Sequence, residues 1–258
     1  MNRLQLARCA FSFRFTDTSY LPPFLGNTLR GALGASLEKI GSPMYSDVFK
    51  VSKSVSTPNP YAISVLYPGK EKYEIGDCFT FYVTLFGNAC RYTAELTNAV
   101  KNMNKGKLSN SECIDAQLVF SRTWSDKGAD SIPRCERLTV KFLSPTEILR
   151  GKVPILKPDF NDFVDSVFGR IGGIIDNHTD GLFVLPYSYI AARPFVTAEY
   201  ELKTISLQTM RQPINGFVGT IRYIGDVTRY LPYIDLCGQA HIGKKTTRSC
   251  GEYEFKLE

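Results

Sequence analysis

The 258-residue chain has two histidines, His178 and His241, and none before residue 178. Imidazole acid–base chemistry is therefore excluded from its first half. Its seven cysteines form no Cys-x-x-Cys pair. That leaves neither a zinc site nor a disulfide framework, and the odd count fits reduced thiols in a cytoplasm. Cys237 and Cys250 read as buried structural thiols. No clustered Asp or Glu pair suggests a two-metal nuclease, and no Gly-x-Ser-x-Gly elbow is present. No apolar run approaches the roughly 18 residues of a membrane span. The opening stretch MNRLQLARCAFSFRF alternates apolar with polar residues and is broken by Arg3, Arg8 and Arg14. It reads as a strand rather than a signal peptide.

What remains is a soluble globular chain, 43% hydrophobic and 22% charged. Its length holds two domains of about 125 residues. The net charge of +6 is modest, but residues 201–250 carry seven basic groups (Lys203, Arg211, Arg222, Arg229, Lys244, Lys245, Arg248) against three acidic ones (Glu201, Asp226, Asp235). Basic groups clustered around glycines favour a polyanion partner over a plain solvated face.

Taken in order, residues 4–15 read as a strand, followed by a stiff Tyr20-Leu21-Pro22-Pro23 connection. Phe24 to Ile40 is a helix with Leu25, Leu29, Ala32, Leu33, Leu37 and Ile40 on one face, stopped by Gly41. Gly26, Gly31 and Gly34 weaken this helix and point to close packing against a sheet. Residues 42–60 read as a loop with room for a short strand. Tyr61–Tyr67 and Cys78–Phe86 alternate as strands, Arg91–Met103 reads as a helix and Ile114–Phe120 as a strand. That order, βαββαβ, is the ferredoxin-like one. Residues 121–136, with Trp124, Asp126, Gly128 and Pro133, form the candidate junction. The pattern then repeats. It has a strand around Leu138, Val140 and Phe142, ended by Pro145, and a helix from Phe160 capped by Asp159 with Asp162 favouring its start. A strand over 196–210 carries an irregularity near Lys203 and Thr204. His178, in the tip sequence DNHTDG, reads as an exposed loop histidine. The expected fold is α+β, two tandem ferredoxin-like (RRM-like) domains over residues 1–125 and 134–258.

The last stretch, Gly216 to Phe255, reads as a strand, a short helix that tolerates Pro232 only in its first turn, a loop from Gly238 to Gly251, and a closing strand. Gly238, Gly243 and Lys244 match the first seven positions of a P-loop, but Lys245 stands where Ser or Thr should hold Mg²⁺, and a helix precedes where a strand should. The nucleotide-hydrolase reading fails on that context.

The same stretch resembles the C-terminal region of the CRISPR-associated repeat-RNA endoribonucleases, a branch of the RAMP superfamily. That family has a Gly-Phe-x-Gly strand, a short helix and a loop of the form His-hydrophobic-Gly-Lys-x-Thr-Thr, aromatic, Gly, x, Gly. Here these are Gly216, Phe217, Gly219, His241, Ile242, Gly243, Lys244, Thr246 and Thr247. Arg248 and Ser249 stand where an aromatic and a glycine are usual, and Gly251 remains. The stretches YEIGDCFTFYVTLFG and LTVKFLSPTEIL, and the helix containing Pro158-Asp159-Phe160, resemble the family as well, so the likeness covers most of the chain.

The resemblance implies metal-independent cleavage of CRISPR repeat RNA into guides, with no cofactor. The upstream 2′-hydroxyl attacks the phosphate and leaves a 2′,3′-cyclic phosphate. It implies an RNA-binding loop of Gly238, Gly243, Lys244, Lys245, Thr246, Thr247, Arg248, Ser249 and Gly251. Many members place a catalytic histidine in or near the first helix, and this chain has none there. Catalytic candidates are then His241, beside the cationic loop, and Tyr20, Arg30, Lys39 and Tyr45 around the first helix. The alternatives are a RAMP-type subunit that holds RNA without cutting it, and an interaction protein whose basic loop binds acidic protein surface. CRISPR effector subunits or a second copy of the chain are further partners, and a membrane is not.

Overall fold

The computed structural model describes residues 2–50, 57–65, 69–103, 106–126, 134–185, 189, 194–208 and 213–258. The first unit runs β1 (Arg3–Phe15), β2 (Ser19–Tyr20), α1 (Gly26–Lys39), β3 (Tyr61–Val65), β4 (Lys72–Tyr73), β5 (Cys78–Phe86), α2 (Thr93–Lys101) and β6 (Ser111–Ser125). The second runs β7 (Arg137–Thr146), β8 (Ile148–Arg150), β9 (Val153–Ile155), α3 (Phe160–His178), β10 (Thr197–Leu207), β11 (Ile214–Ile224), α4 (Leu231–Ala240) and β12 (Tyr253–Leu257). The two four-stranded sheets have the orders β3-β5-β1-β6 and β10-β11-β7-β12. With β2–β4 and β8–β9 set aside as small side ribbons, each sheet is the antiparallel sheet of a ferredoxin-like unit. The fold is two such units in tandem.

Strand periodicity places the cores. In β1, Cys9, Phe11, Phe13 and Phe15 are buried, and Leu29, Leu33 and Leu37 of α1 close over the same side. In the second unit Leu138, Val140 and Phe142 meet Phe163, Val167 and Ile171 of α3. That core also takes in Leu4, Leu6, Ala62 and Phe86 of the first unit, so apolar packing runs across the seam. No helix among the described residues is long and apolar enough to cross a membrane.

Several expectations need correcting. The 42–60 segment contains a π-helical turn, Tyr45–Phe49, and no strand among its described residues. The second helix starts at Thr93, after a 3₁₀ turn over Gly87–Tyr92. β6 is longer than expected because it stays paired with β1 through two bulges. The β10–β11 register is continuous through Lys203 and Thr204, and the irregularity lies between Phe217 and Gly219 where β11 meets β7. Gly26 and Gly34 do serve close packing, but against a loop carbonyl and the Phe49 ring rather than a sheet, and Gly31 faces open space. His178 ends α3, is buried, and its Nε2 donates to the Pro58 carbonyl at 2.8 Å. Gly128, Pro133 and Arg211 lie outside the described residues.

Candidate nucleic-acid interface at the seam of the two units

Strand β3 is an edge strand, and an edge presents unpaired backbone groups. Side chains of the second unit cover it. Arg170 of α3 donates from Nη1 to the Asn59 carbonyl at 3.1 Å, from Nη2 to Tyr61 at 3.3 Å, and from Nε to Ala240 at the end of α4 at 3.1 Å. Ser249 Oγ accepts from the Val65 amide at 3.0 Å and donates to the Val65 carbonyl at 3.4 Å. His241 Nδ1 lies 3.1 Å from the Cys250 carbonyl, which only accepts, so Nδ1 carries the proton. Nε2 then accepts from the Ser64 hydroxyl at 2.9 Å.

His241 is therefore not the proton shuttle that its sequence context suggested. It has 0% exposure, and burial, aided by the charges of Arg8 and Arg170, pushes its pKa down to about 3. A neutral imidazole sealed inside the seam neither meets a phosphate nor titrates near neutral pH. Beside Ser64 and Arg8, burial pushes the Glu252 carboxyl up to about 7.

The glycine loop runs over the helical side of this seam. Gly251, with φ +76°, lies so close to the Ile242 carbonyl that a Cβ there would sit 1.8 Å from its oxygen. Ser249, where a glycine is usual, also takes a left-handed φ of 61°. Such a conformation costs a non-glycine residue about 1–2 kcal/mol, and the two hydrogen bonds to Val65 hold it there. Gly26, the first residue of α1, meets the Arg248 carbonyl, where a Cβ would stand 2.0 Å from the oxygen. One turn on, Arg30 lies over the Phe49 ring, 5.0 Å from its centroid, and another turn on Gly34 receives the edge of the same ring. Gly26, Arg30 and Gly34 thus form one stripe of α1, fitted to the loop at one end and to an aromatic ring at the other.

The predicted loop contacts separate into four groups. Gly238 belongs to the last turn of α4 and faces the Tyr253 ring, so it is no part of the loop surface. Thr246, Thr247, Ser249 and Gly251 are buried, and Lys245 Nζ pairs with Glu147 at 2.7 Å, so its charge is already answered. Gly243 is half-buried, with its amide on Ser166 Oγ at 3.2 Å. Lys244 is exposed and Arg248 half-buried, which leaves these two cations at the surface.

The predicted residues around α1 divide as well. Arg30 and Tyr45 flank one ring, since Tyr45 stacks on Phe49 at 6.1 Å. Lys39 lies nine residues beyond Arg30 in α1. At the helical rise and turn that is about 13 Å away and roughly 180° round the axis. Tyr20 stands on the β2–β4 ribbon, 71% exposed, with Lys72 as its charged neighbour. Arg30 and Tyr45 are brought together on one ring, and Lys39 lies on the far side of α1. No group of His, Cys, Asp and Glu suited to a metal occurs among the described residues.

Sequence reasoning missed Tyr61, Ser64, Glu147 and Arg170. Ser64 and Arg170 are lone polar groups on a strand and a helix whose apolar periodicity dominates, Glu147 sits between β7 and β8, and the partners of all three lie far away in the chain. One signal was available: Arg170 interrupts the buried face of α3 between Val167 and Ile171.

Residues 140–253 match the family model described as CRISPR-associated endoribonuclease Cas6. That match lies in the second half of the chain and takes in the loop between α4 and β12. Residues 4–132 match a separate family model described as an N-terminal domain. No curated protein matches. Among solved structures, a Thermus thermophilus Cas6 aligns with a TM-score of 0.67 at 13% identity, over 98% of this chain and 99% of that one. A Cas6 product complex aligns at 0.63 and 18%, again over 98% and 99%. A RAMP protein binding different RNA substrates aligns at 0.56 and 16%, over 98% and 99%. The residues that match the Cas6 model include the loop, and the first unit supplies the helix on which it rests.

Proposed function

We propose that this chain binds CRISPR repeat RNA along the α1–loop side of the seam and cleaves it without a metal ion. The observation that carries the reading is Arg30. It is half-buried on the α1 stripe that meets the Cas6 loop, and its buried Nε has no hydrogen-bond partner. The 2′-hydroxyl oxygen attacks phosphorus in line, the bond to the 5′ oxygen breaks, and a 2′,3′-cyclic phosphate and a 5′-hydroxyl end result. The attacking hydroxyl loses its proton, and the leaving oxygen gains one. Arg30 and Arg248 stabilise the charge of the phosphorane, and Lys244 holds a neighbouring phosphate. Tyr45, which stacks on the ring that Arg30 covers, is the phenol that supplies the leaving oxygen with its proton. A fixed donor at the developing charge is worth about 10²–10³ in rate. Guanidinium and ammonium groups do not ligate divalent cations, which supports the metal-independent form.

A second reading, a subunit that holds repeat RNA without cutting it, is favoured by one observation. Both histidines are buried, so no imidazole is offered to the RNA. Repeat RNA incubated with the protein in EDTA separates the two. Cleavage with a cyclic phosphate end is expected. Tight binding with intact RNA establishes the second reading, and neither binding nor cleavage removes both.

A further inference from the structure

Each sheet ends in two edge strands, and an edge carries unpaired backbone groups that have to be covered or blunted. Three of the edges are accounted for. β3 is covered by side chains of the second unit. β6 is interrupted by two bulges against β1, and bulges turn an edge away from a further strand. β12 has only five residues. β10 is different. It runs for 11 residues without a proline and in unbroken register with β11. Among the described residues no further strand pairs with it. Its two faces also differ. Ala198, Tyr200 and Leu202 are half-buried against the core of the second unit, and Glu199, Glu201 and Lys203 are exposed. Glu199 is held by Arg222 at 2.8 Å, so Glu201 and Lys203 choose the register of anything that pairs here.

We propose that two copies of this chain associate through their β10 edges, antiparallel about a dyad at Leu202, joining two four-stranded sheets into one. The charges of the strand fit a second copy of itself. Antiparallel partners must present the same face, so only registers that pair like faces are open. With the dyad at Leu202, Glu201 lies opposite Lys203 of the second copy, and Lys203 lies opposite its Glu201. The two Leu202 side chains meet on the core side. Moving the dyad to Glu201 or to Lys203 sets that charge against itself. Moving it to Tyr200 sets Glu199 against Glu201 on both sides of the dyad. Phe195, 92% exposed, lies two residues before the strand. Continued past Thr197, the Leu202 register sets it diagonally opposite Leu207 of the second copy, which covers the ring.

The test is the mass of the full chain in solution, by sedimentation equilibrium without RNA. Wild type is expected to form dimers. Lys203→Glu sets carboxylates against each other at both pairs, and the dimer dissociation constant should rise about 10-fold or more. Glu201→Lys should do the same with two ammonium groups. Both side chains are exposed, so each variant should keep the Tm of wild type. The double variant Glu201→Lys with Lys203→Glu exchanges the two charges and should restore wild-type association. An equal mixture of the two single variants should restore it as well, as a heterodimer. These rescues distinguish the Leu202 register from its neighbours, because with the dyad at Glu201 the double variant meets like charges at every pair. A wild type that stays monomeric at every concentration overturns the proposal. So does a dimer indifferent to either single reversal, or a double variant that associates no better than the single ones.

Discussion

Two arginines reach the seam, one from the first helix of each ferredoxin-like unit. Arg170 is buried and has three backbone carbonyls for its donors. Burial lowers its pKa to about 10, still cationic at neutral pH. Arg30 is half-buried, lies on an aromatic ring and leaves Nε idle. The helices differ in the same sense. α3 begins with a capping box between Asp159 and Asp162 and presents a long apolar face. α1 has no side-chain cap, carries three glycines and is shaped to a loop carbonyl and a ring. A helix built for the core satisfies its own ends and its arginine. Arg170 therefore serves the fold, and the proposal above assigns Arg30, whose Nε is left over, to the RNA.

The comparison breaks first at Arg170. Arg170→Met should lower unfolding free energy by about 3 kcal/mol or more, because it strands buried carbonyls on both sides of the seam. Urea midpoints measure this, and a loss below about 1 kcal/mol would make the clamp incidental.

The next effect is in pH. His241 has a folded pKa near 3, below its unfolded value of 6.5, so the unfolded chain binds the extra proton between these limits. Its contribution is complete above pH 6.5 and is lost as pH falls toward 3. Relative to His241→Asn, wild type should lose a few kcal/mol over that interval. Glu252 has the opposite sign. Its folded pKa, about 7, exceeds the ordinary 4.5, so the folded chain binds the extra proton. Wild type should lose stability relative to Glu252→Gln as pH rises from 4.5 to 7, by up to about 3 kcal/mol. Parallel pH–stability curves for variant and wild type would contradict the assignment in either case.

The smallest effect separates two adjacent lysines. Lys244→Met should flatten the dependence of log RNA affinity on log salt by about 0.7, one phosphate on a single strand, while Lys245→Met leaves it unchanged because Glu147 already holds that charge. Equal changes would mean that the ion pair opens on binding.

Much of this was legible in the chain itself. Alternation in Phe11, Phe13 and Phe15, the α3 face and its Asp159 cap, and Pro232 in the first turn of α4 all appear as read. These features depend on neighbours within a few residues. The seam does not. That Ser249 meets Val65 and His241 meets Ser64 follows from how the units dock, across more than a hundred residues of chain, and no local period reports it. His241 misled for that reason. Beside glycines and lysines it reads as exposed, yet its side chain turns inward to an edge strand of the other unit. Gly238 misled through composition, since a glycine near a loop still belonged to the helix before it.

The most direct test is single-turnover cleavage of repeat RNA in EDTA by Arg30→Ala at saturating protein, with its Tm measured alongside. The rate should fall by about 10²-fold or more while Tm stays near that of wild type. Cleavage at the wild-type rate, or loss of activity accompanied by unfolding, would contradict the division of labour between Arg30 and Arg170.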